Sequence, residues 1–173
     1  DVFSGNQQIA TLEGNSFIQL VLRDNLVLVK NFSQTFGQYA SVTFRRRQPE
    51  GCLRIKTVSP PSSVFTYDDN LIVRAASTGK NGFLRLINEV DLENYVAGTT
   101  EAEAGNTPVA EFLKVHAIIC RTYALAHITR HADEGFHLCD QVHCQAYRGK
   151  SRFNSLVPLA VKGTKGKVIV DRN

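Results

Sequence analysis

Two glutamates, Glu101 and Glu103, stand just before a Gly105-Asn106 break, and the segment from His131 to Tyr147 gathers His131, His137, Cys139, His143 and Cys144. A carboxylic acid held protonated near neutral pH can donate its proton to a leaving group. An apolar cleft favours that state, because burial disfavours the charged form. Helical spacing puts Leu92, Val96, Thr99 or Thr100 and Glu103 on one stripe, and Glu93, Ala97 and Glu101 on a more polar one. Glu103 is therefore expected to turn inward and Glu101 outward. A hydrolase of the usual type needs a second carboxylate at a set distance. Glu101, on a different helix face, is a poor second member.

Cys139 and Cys144, with His131, His137 and His143 around them, suit zinc held by thiolate and imidazole. A Cys139–Cys144 disulfide and a pair of free thiols are the rival readings. Cys52 and Cys120 fall in apolar settings and read as small core residues. Arg121 lies in the middle of an apolar helical run, where a cation needs a partner. It either pairs with a buried carboxylate or free carbonyls, or it orients Glu103 or touches substrate. Direct contact with Glu103 would lower the acid's pKa, the wrong direction for a proton donor. Ser151 has no His or Asp arrangement to make it a nucleophile.

These residues need elements to hold them. Asp91 is a good N-cap, with Val90 and Tyr95 placed to form a hydrophobic staple. Gly105-Asn106 ends that helix. Thr107 caps the next helix and Pro108 takes its first position, with the helix running to about Arg130. Its middle is apolar nearly all round, as expected of a central, buried helix.

The pieces DLENYVAG, Glu103, EFLKVHAIICRTYALA and CDQVHCQAYRG resemble the SpoIID/LytB family of sporulation and cell-wall proteins over about half the chain. The resemblance implies a peptidoglycan lytic transglycosylase with Glu103 as its catalytic acid. In that reaction the 6-hydroxyl of muramic acid attacks the anomeric carbon and leaves a 1,6-anhydro end. The second carboxylate of a hydrolase is then not needed. The resemblance also implies a zinc site with one His and two Cys, here Cys139, Cys144 and His131, with His137 as the alternative. Gln145 and Tyr147 match family positions in the same loop; they either pack the loop or, with Arg121, line the substrate groove. Thr99, Thr100 and Glu101 depart from the small apolar residues usual in the family. The family also continues past the TKGKV segment into a Ser/Gly-rich stretch, so residues 1–173 alone are expected to fold but to be much less active than a longer chain.

Length and composition set the frame. The chain's 173 residues suit one domain: β-rich over 1–90, helical with the Cys/His loop over 91–150, and a C-terminal part over 151–173. A hydrophobic content of 43% excludes a disordered chain, and no run approaches the length of a transmembrane helix. The chain begins at Asp1 without a signal peptide and reads as a mature or cut product of an exported, cell-envelope protein. A net charge of +4 suits a polyanionic partner. Arg45-Arg46-Arg47 has no interleaved aromatics, so nucleic acid is not expected, and the run reads as a solvated strand end.

Strands are expected near 16–22, 26–29, 41–45, 52–58, 64–67, 71–74 and 83–87, with turns at Asp24-Asn25, Asp68-Asp69-Asn70 and Gly79 to Gly82. Helices follow only afterwards, so the fold is α+β, with an N-terminal antiparallel β-rich part, a helical segment, and a closing short helix and strand at Lys167–Val170. The partners expected are glycan strands and other wall enzymes. Two non-catalytic alternatives remain: a peptidoglycan-binding module and a zinc-stabilised module that recruits other wall enzymes.

Overall fold

The computed structural model describes all residues except 15, 49, 172 and 173. The chain forms two compact units, Asp1–Leu53 with Asp69–Glu89, and Arg54–Asp68 with Val90–Asn173. The fold is mixed α+β, with antiparallel sheets first and helices after.

The first unit is all β. Strands β1 (Val2–Ser4), β2 (Gln7–Ala10), β6 (Ser41–Phe44), β9 (Asn70–Thr78) and β10 (Asn81–Glu89) make a five-stranded sheet in the order β10-β9-β6-β1-β2. Strands β3 (Gln19–Arg23), β4 (Leu26–Lys30) and β5 (Thr35–Tyr39) make a three-stranded one. Val27, Leu28 and Val29 of β4 are buried in succession, so β4 is covered on both faces. Asp24 and Asn25 both take positive φ, which is what a two-residue hairpin between right-twisted strands requires. Each arginine of the 45–47 run is engaged inside this unit. Arg45 lies over the Phe3 ring, Arg46 pairs with Asp69, and Arg47 with Asp1 and Glu13.

The expected hairpin at Asp68-Asp69-Asn70 is not one. Strand β8 (Phe65–Asp68) pairs with β7 (Cys52–Ile55), whereas β9 pairs with β10 and β6. Asp69, at φ 63°, is the point where the chain leaves one unit for the other. The two aspartates are anchored apart: Asp68 pairs with Lys150 at 2.7 Å, and Asp69 with Arg46.

The second unit carries helices α1 (Leu92–Ala104), α2 (Ala110–Ala126) and α3 (Leu156–Gly163). Asp91 caps α1 as expected, its side chain accepting the Glu93 N–H at 2.8 Å, and Gly105 ends it with a φ of 66°. Helix α2 begins two residues later than expected and stops at Ala126, with His127 as its C-cap. Helix α3 tolerates Pro158 because the first turn of a helix has no intrahelical use for its N–H groups. Val96, Leu113, Ala117, Cys120, Val157, Ala160 and Val161 form one core where the three helices meet. The segment expected to end as a strand forms no strand among the described residues and is held by side chains of α2 instead. Arg121 donates to the Lys167 carbonyl, and the Thr122 hydroxyl accepts the Ile169 N–H. No helix among the described residues is long and apolar enough to cross a membrane.

Candidate active site and metal centre

The site is built on the last turn of α1 and the loop from His131 to Asn154. Val96, Thr99 and Thr100 fill the buried face of α1. Glu103 continues that stripe one turn on, past the end of the core, and is exposed rather than buried. Its Oε1 accepts the backbone N–H of Ala146 at 2.6 Å. That bond fixes the carboxylate against the loop and leaves Oε2 without a hydrogen-bond partner among the described residues.

Glu101 reverses its expectation. It is half-buried, and its Oε1 accepts the Ser151 hydroxyl and the N–H groups of Arg152, Phe153 and Asn154 at 2.8–3.1 Å. Burial pushes this carboxyl up, but the three N–H groups and the hydroxyl outweigh it and hold it below its ordinary value. Glu101 is thus a half-buried anchor for the segment that leads into α3. Ordinary periodicity could not reveal this, because a nest of backbone N–H groups leaves no mark on the side-chain pattern.

Arg121 takes the first of its two expected roles, paired with a carboxylate and a carbonyl. It is 1% exposed and forms a two-pronged pair with Glu93, Nε to Oε1 at 3.0 Å and Nη2 to Oε2 at 2.6 Å. Its Nη1 donates to the Lys167 carbonyl. All three nitrogens are engaged within the unit, so Arg121 braces α1 against α2. Gln145 and Tyr147 are likewise buried. The Tyr95 hydroxyl donates to Gln145 Oε1 at 3.2 Å, and the Tyr95 and Tyr147 rings lie 5.1 Å apart. These two residues pack the loop onto α1. Burial raises the pKa of the Tyr95 phenol, which stays protonated.

The loop's sulfur and nitrogen atoms converge. His131, Cys139, His143 and Cys144 each place one donor atom within 4.8 Å of all the others. Cys144 Sγ lies 3.4 Å from His131 Nε2 and 3.6 Å from His143 Nδ1, and Cys139 Sγ lies 3.7 Å from His143 Nδ1. A tetrahedral zinc with bonds of about 2.3 Å to sulfur and 2.0 Å to nitrogen separates those ligands by about 3.5 Å. The donor set and its spacing therefore suit zinc. The expected His131, Cys139 and Cys144 come together and His143 joins them as a fourth donor, while His137, the alternative to His131, is exposed and offers its carbonyl to the His131 N–H. Cys139 and Cys144 are not bonded to each other, Cys120 is buried, and Cys52 is exposed rather than in the core. His131 Nδ1 lies 2.7 Å from Glu134 Oε1, a second-layer contact that leaves Nε2 facing the sulfurs.

A family model described as stage II sporulation protein, SpoIID, matches residues 80–170, a span that contains the whole of this site. The chain belongs to the SpoIID family. Membership supports a sporulation- and cell-wall-related protein. An uncharacterised protein of Brachyspira hyodysenteriae (strain ATCC 49526 / WA1) is 33% identical over 91 residues, which cover 52% of this chain and 25% of that protein. This SpoIID chain thus aligns with about a quarter of the relative's length. No solved structure matches it.

Proposed function

We propose that this SpoIID domain is a peptidoglycan lytic transglycosylase with Glu103 as its general acid and base. The observation that carries the reading is the state of Glu103: exposed, oriented by Ala146, with one carboxyl oxygen free of hydrogen bonds among the described residues. The protonated carboxyl donates to the glycosidic oxygen as the bond to the anomeric carbon breaks. The 6-hydroxyl of the same muramic acid attacks that carbon, and its proton passes to the Glu103 carboxylate. The products are a 1,6-anhydro end and a free hydroxyl on the leaving sugar, with no water consumed. The neighbouring carboxylate supports this choice over hydrolysis. Glu101 is occupied by four donors and is not free to activate a water.

The same reading places zinc in the loop, held by His131, Cys139, His143 and Cys144. With these four residues as ligands, a zinc ion would serve as a structural crosslink of the loop. The protein is read as exported and acting in the cell envelope on glycan strands.

The test is digestion of purified glycan strands, with mass spectrometry of the products. The expected products carry 1,6-anhydro-muramic ends, and Glu103→Gln lowers their release by about 10²-fold or more at an unchanged melting temperature. Glycan binding without anhydro products from the wild type would favour a non-catalytic wall-binding module instead.

A further inference from the structure

A cavity of about 170 Å³ opens beside the last turns of α1, lined by Gly98, Glu101, Ala102, Arg148, Lys150 and Phe153 among others. Its walls are rigidly set. A Cβ on Gly98 would stand 2.3 Å from the Gly149 carbonyl oxygen, so α1 and the loop touch there without a side chain between them. Glu101 ties the next residues of the loop to the same helix. On the far side, the Lys150 N–H donates to the Thr66 carbonyl at 2.7 Å.

The charges around this cavity are unequal. Lys150 is neutralised by Asp68 at 2.7 Å, and the Glu101 carboxylate is saturated by backbone and hydroxyl donors. Arg148 is exposed and forms no ion pair among the described residues. It is the cation at the cavity whose charge is left open. A guanidinium offers paired N–H donors that match the two oxygens of a carboxylate. Phe153, 74% exposed, and Ala102 supply apolar wall beside it.

The cavity also lies next to the acid. Ala102 precedes Glu103, and Arg148 follows Ala146 by two residues, a backbone span of at most about 7 Å. The Ala146 N–H that holds Glu103 and the backbone that carries Arg148 are therefore neighbours, within the reach of one glycan strand. We propose that Arg148 and this cavity form a carboxylate subsite that seats an anionic group of the glycan substrate while Glu103 meets the scissile bond. The proposal rests on the glycan reading above and names the part of the substrate that this surface recognises. Two carboxylates share the required chemistry: the lactyl group of a muramic acid without its stem peptide, and an acidic group within a stem peptide.

The experiment measures binding by titration calorimetry in the Glu103→Gln background, so that no ligand is cleaved. The probes are soluble fragments of equal sugar number: alternating N-acetylglucosamine–muramic acid without peptides, the same with stem peptides, and a neutral N-acetylglucosamine oligomer. Arg148→Ala is expected to weaken a carboxylate-bearing fragment by about tenfold and to leave the neutral oligomer unchanged. Reducing the carboxyl groups of that fragment should give the same loss, with no further loss in the variant. An effect confined to the peptide-free fragment identifies the lactyl group, and one confined to the peptide-bearing fragment identifies the stem. Arg148→Lys should recover part of the affinity, and Arg148→Gln serves if the alanine variant melts early. Equal weakening of the neutral oligomer, or no weakening of any fragment, would overturn the subsite. Failure of wild-type cleavage with Arg148-dependent binding intact would instead remove the catalytic reading and leave the subsite standing.

Discussion

Glu103 on α1 accepts the backbone N–H of Ala146 at 2.6 Å, and Ala146 follows Cys144 by two residues. The orientation of Glu103 is therefore set by the same loop that gathers the four Cys and His side chains. A short backbone link carries any loosening of that loop to Oε1 of Glu103.

Zinc removal should consequently cost both stability and cleavage. Elemental analysis of protein purified without chelator should find one zinc per chain. Cys139→Ser should lose it and destabilise by roughly 3 kcal/mol, on the order of 10 °C in melting temperature. Cleavage should fall with it and return when zinc is restored to the chelated wild type. Full cleavage in metal-free protein would show that the loop holds Ala146 without the ion.

Glu101 should matter for stability, and in a pH-dependent way. Glu101→Gln puts an amide where three N–H groups converge and should cost about 1–2 kcal/mol in urea unfolding near neutral pH. The folded carboxyl lies below its ordinary value of 4.5. A depressed carboxyl stabilises the fold above the unfolded pKa, and that contribution is lost as pH falls through the folded one. The gap between wild type and variant should therefore close as the pH is lowered below 4.5. Parallel stability curves down to the acid limit would mean that the nest contributes nothing through charge.

That behaviour bears on what the sequence could convey. The ends of α1 were legible, because Asp91 and Gly105 act through local backbone chemistry. The stripe through Val96, Thr99 and Glu103 was legible too, but periodicity gives a direction and not the place where the core stops. Glu103 lies beyond that place, and Glu101 lies under a loop fifty residues further along the chain. The arrival of His143 as a fourth donor depends on a turn, with the Cys144 N–H donating to the Gln141 carbonyl at 2.9 Å. No spacing rule contains that turn. Strands β1, β2 and β5 were missed because QQIA and TFGQY carry little alternation and are held by their neighbours. The apparent hairpin at Asp68–Asn70 failed because a turn signal does not say which strand is the partner.

The Glu93–Arg121 pair makes an asymmetric prediction. The Arg121 side chain is 1% exposed and that of Glu93 22%. Glu93→Ala strands a cation inside the core and should cost about 3–5 kcal/mol. Arg121→Met leaves Glu93 partly in water and fills the space with an apolar chain, so it should cost less. Urea unfolding of both variants gives the comparison. A larger loss for Arg121→Met would mean that the bond to the Lys167 carbonyl, not the ion pair, holds the C-terminal segment.

Gly98→Ala offers a test with opposed expectations. In an open helix, alanine is favoured over glycine by about 1 kcal/mol. Here the added Cβ would stand 2.3 Å from the Gly149 carbonyl oxygen and 2.6 Å from the Tyr147 ring. Gly149 cannot yield easily, since its own Cβ position lies 2.2 Å from the Thr66 carbonyl and its φ is 82°. The loop must therefore lift from α1, and overpacking of this kind costs about 1–3 kcal/mol. Tyr147 follows Ala146 directly, so the lift also disturbs the N–H that orients Glu103. The variant should melt lower than wild type and cleave more slowly, with its zinc content retained. A variant as stable as wild type or more so would mean that α1 and the loop are not in contact at Gly98 in solution.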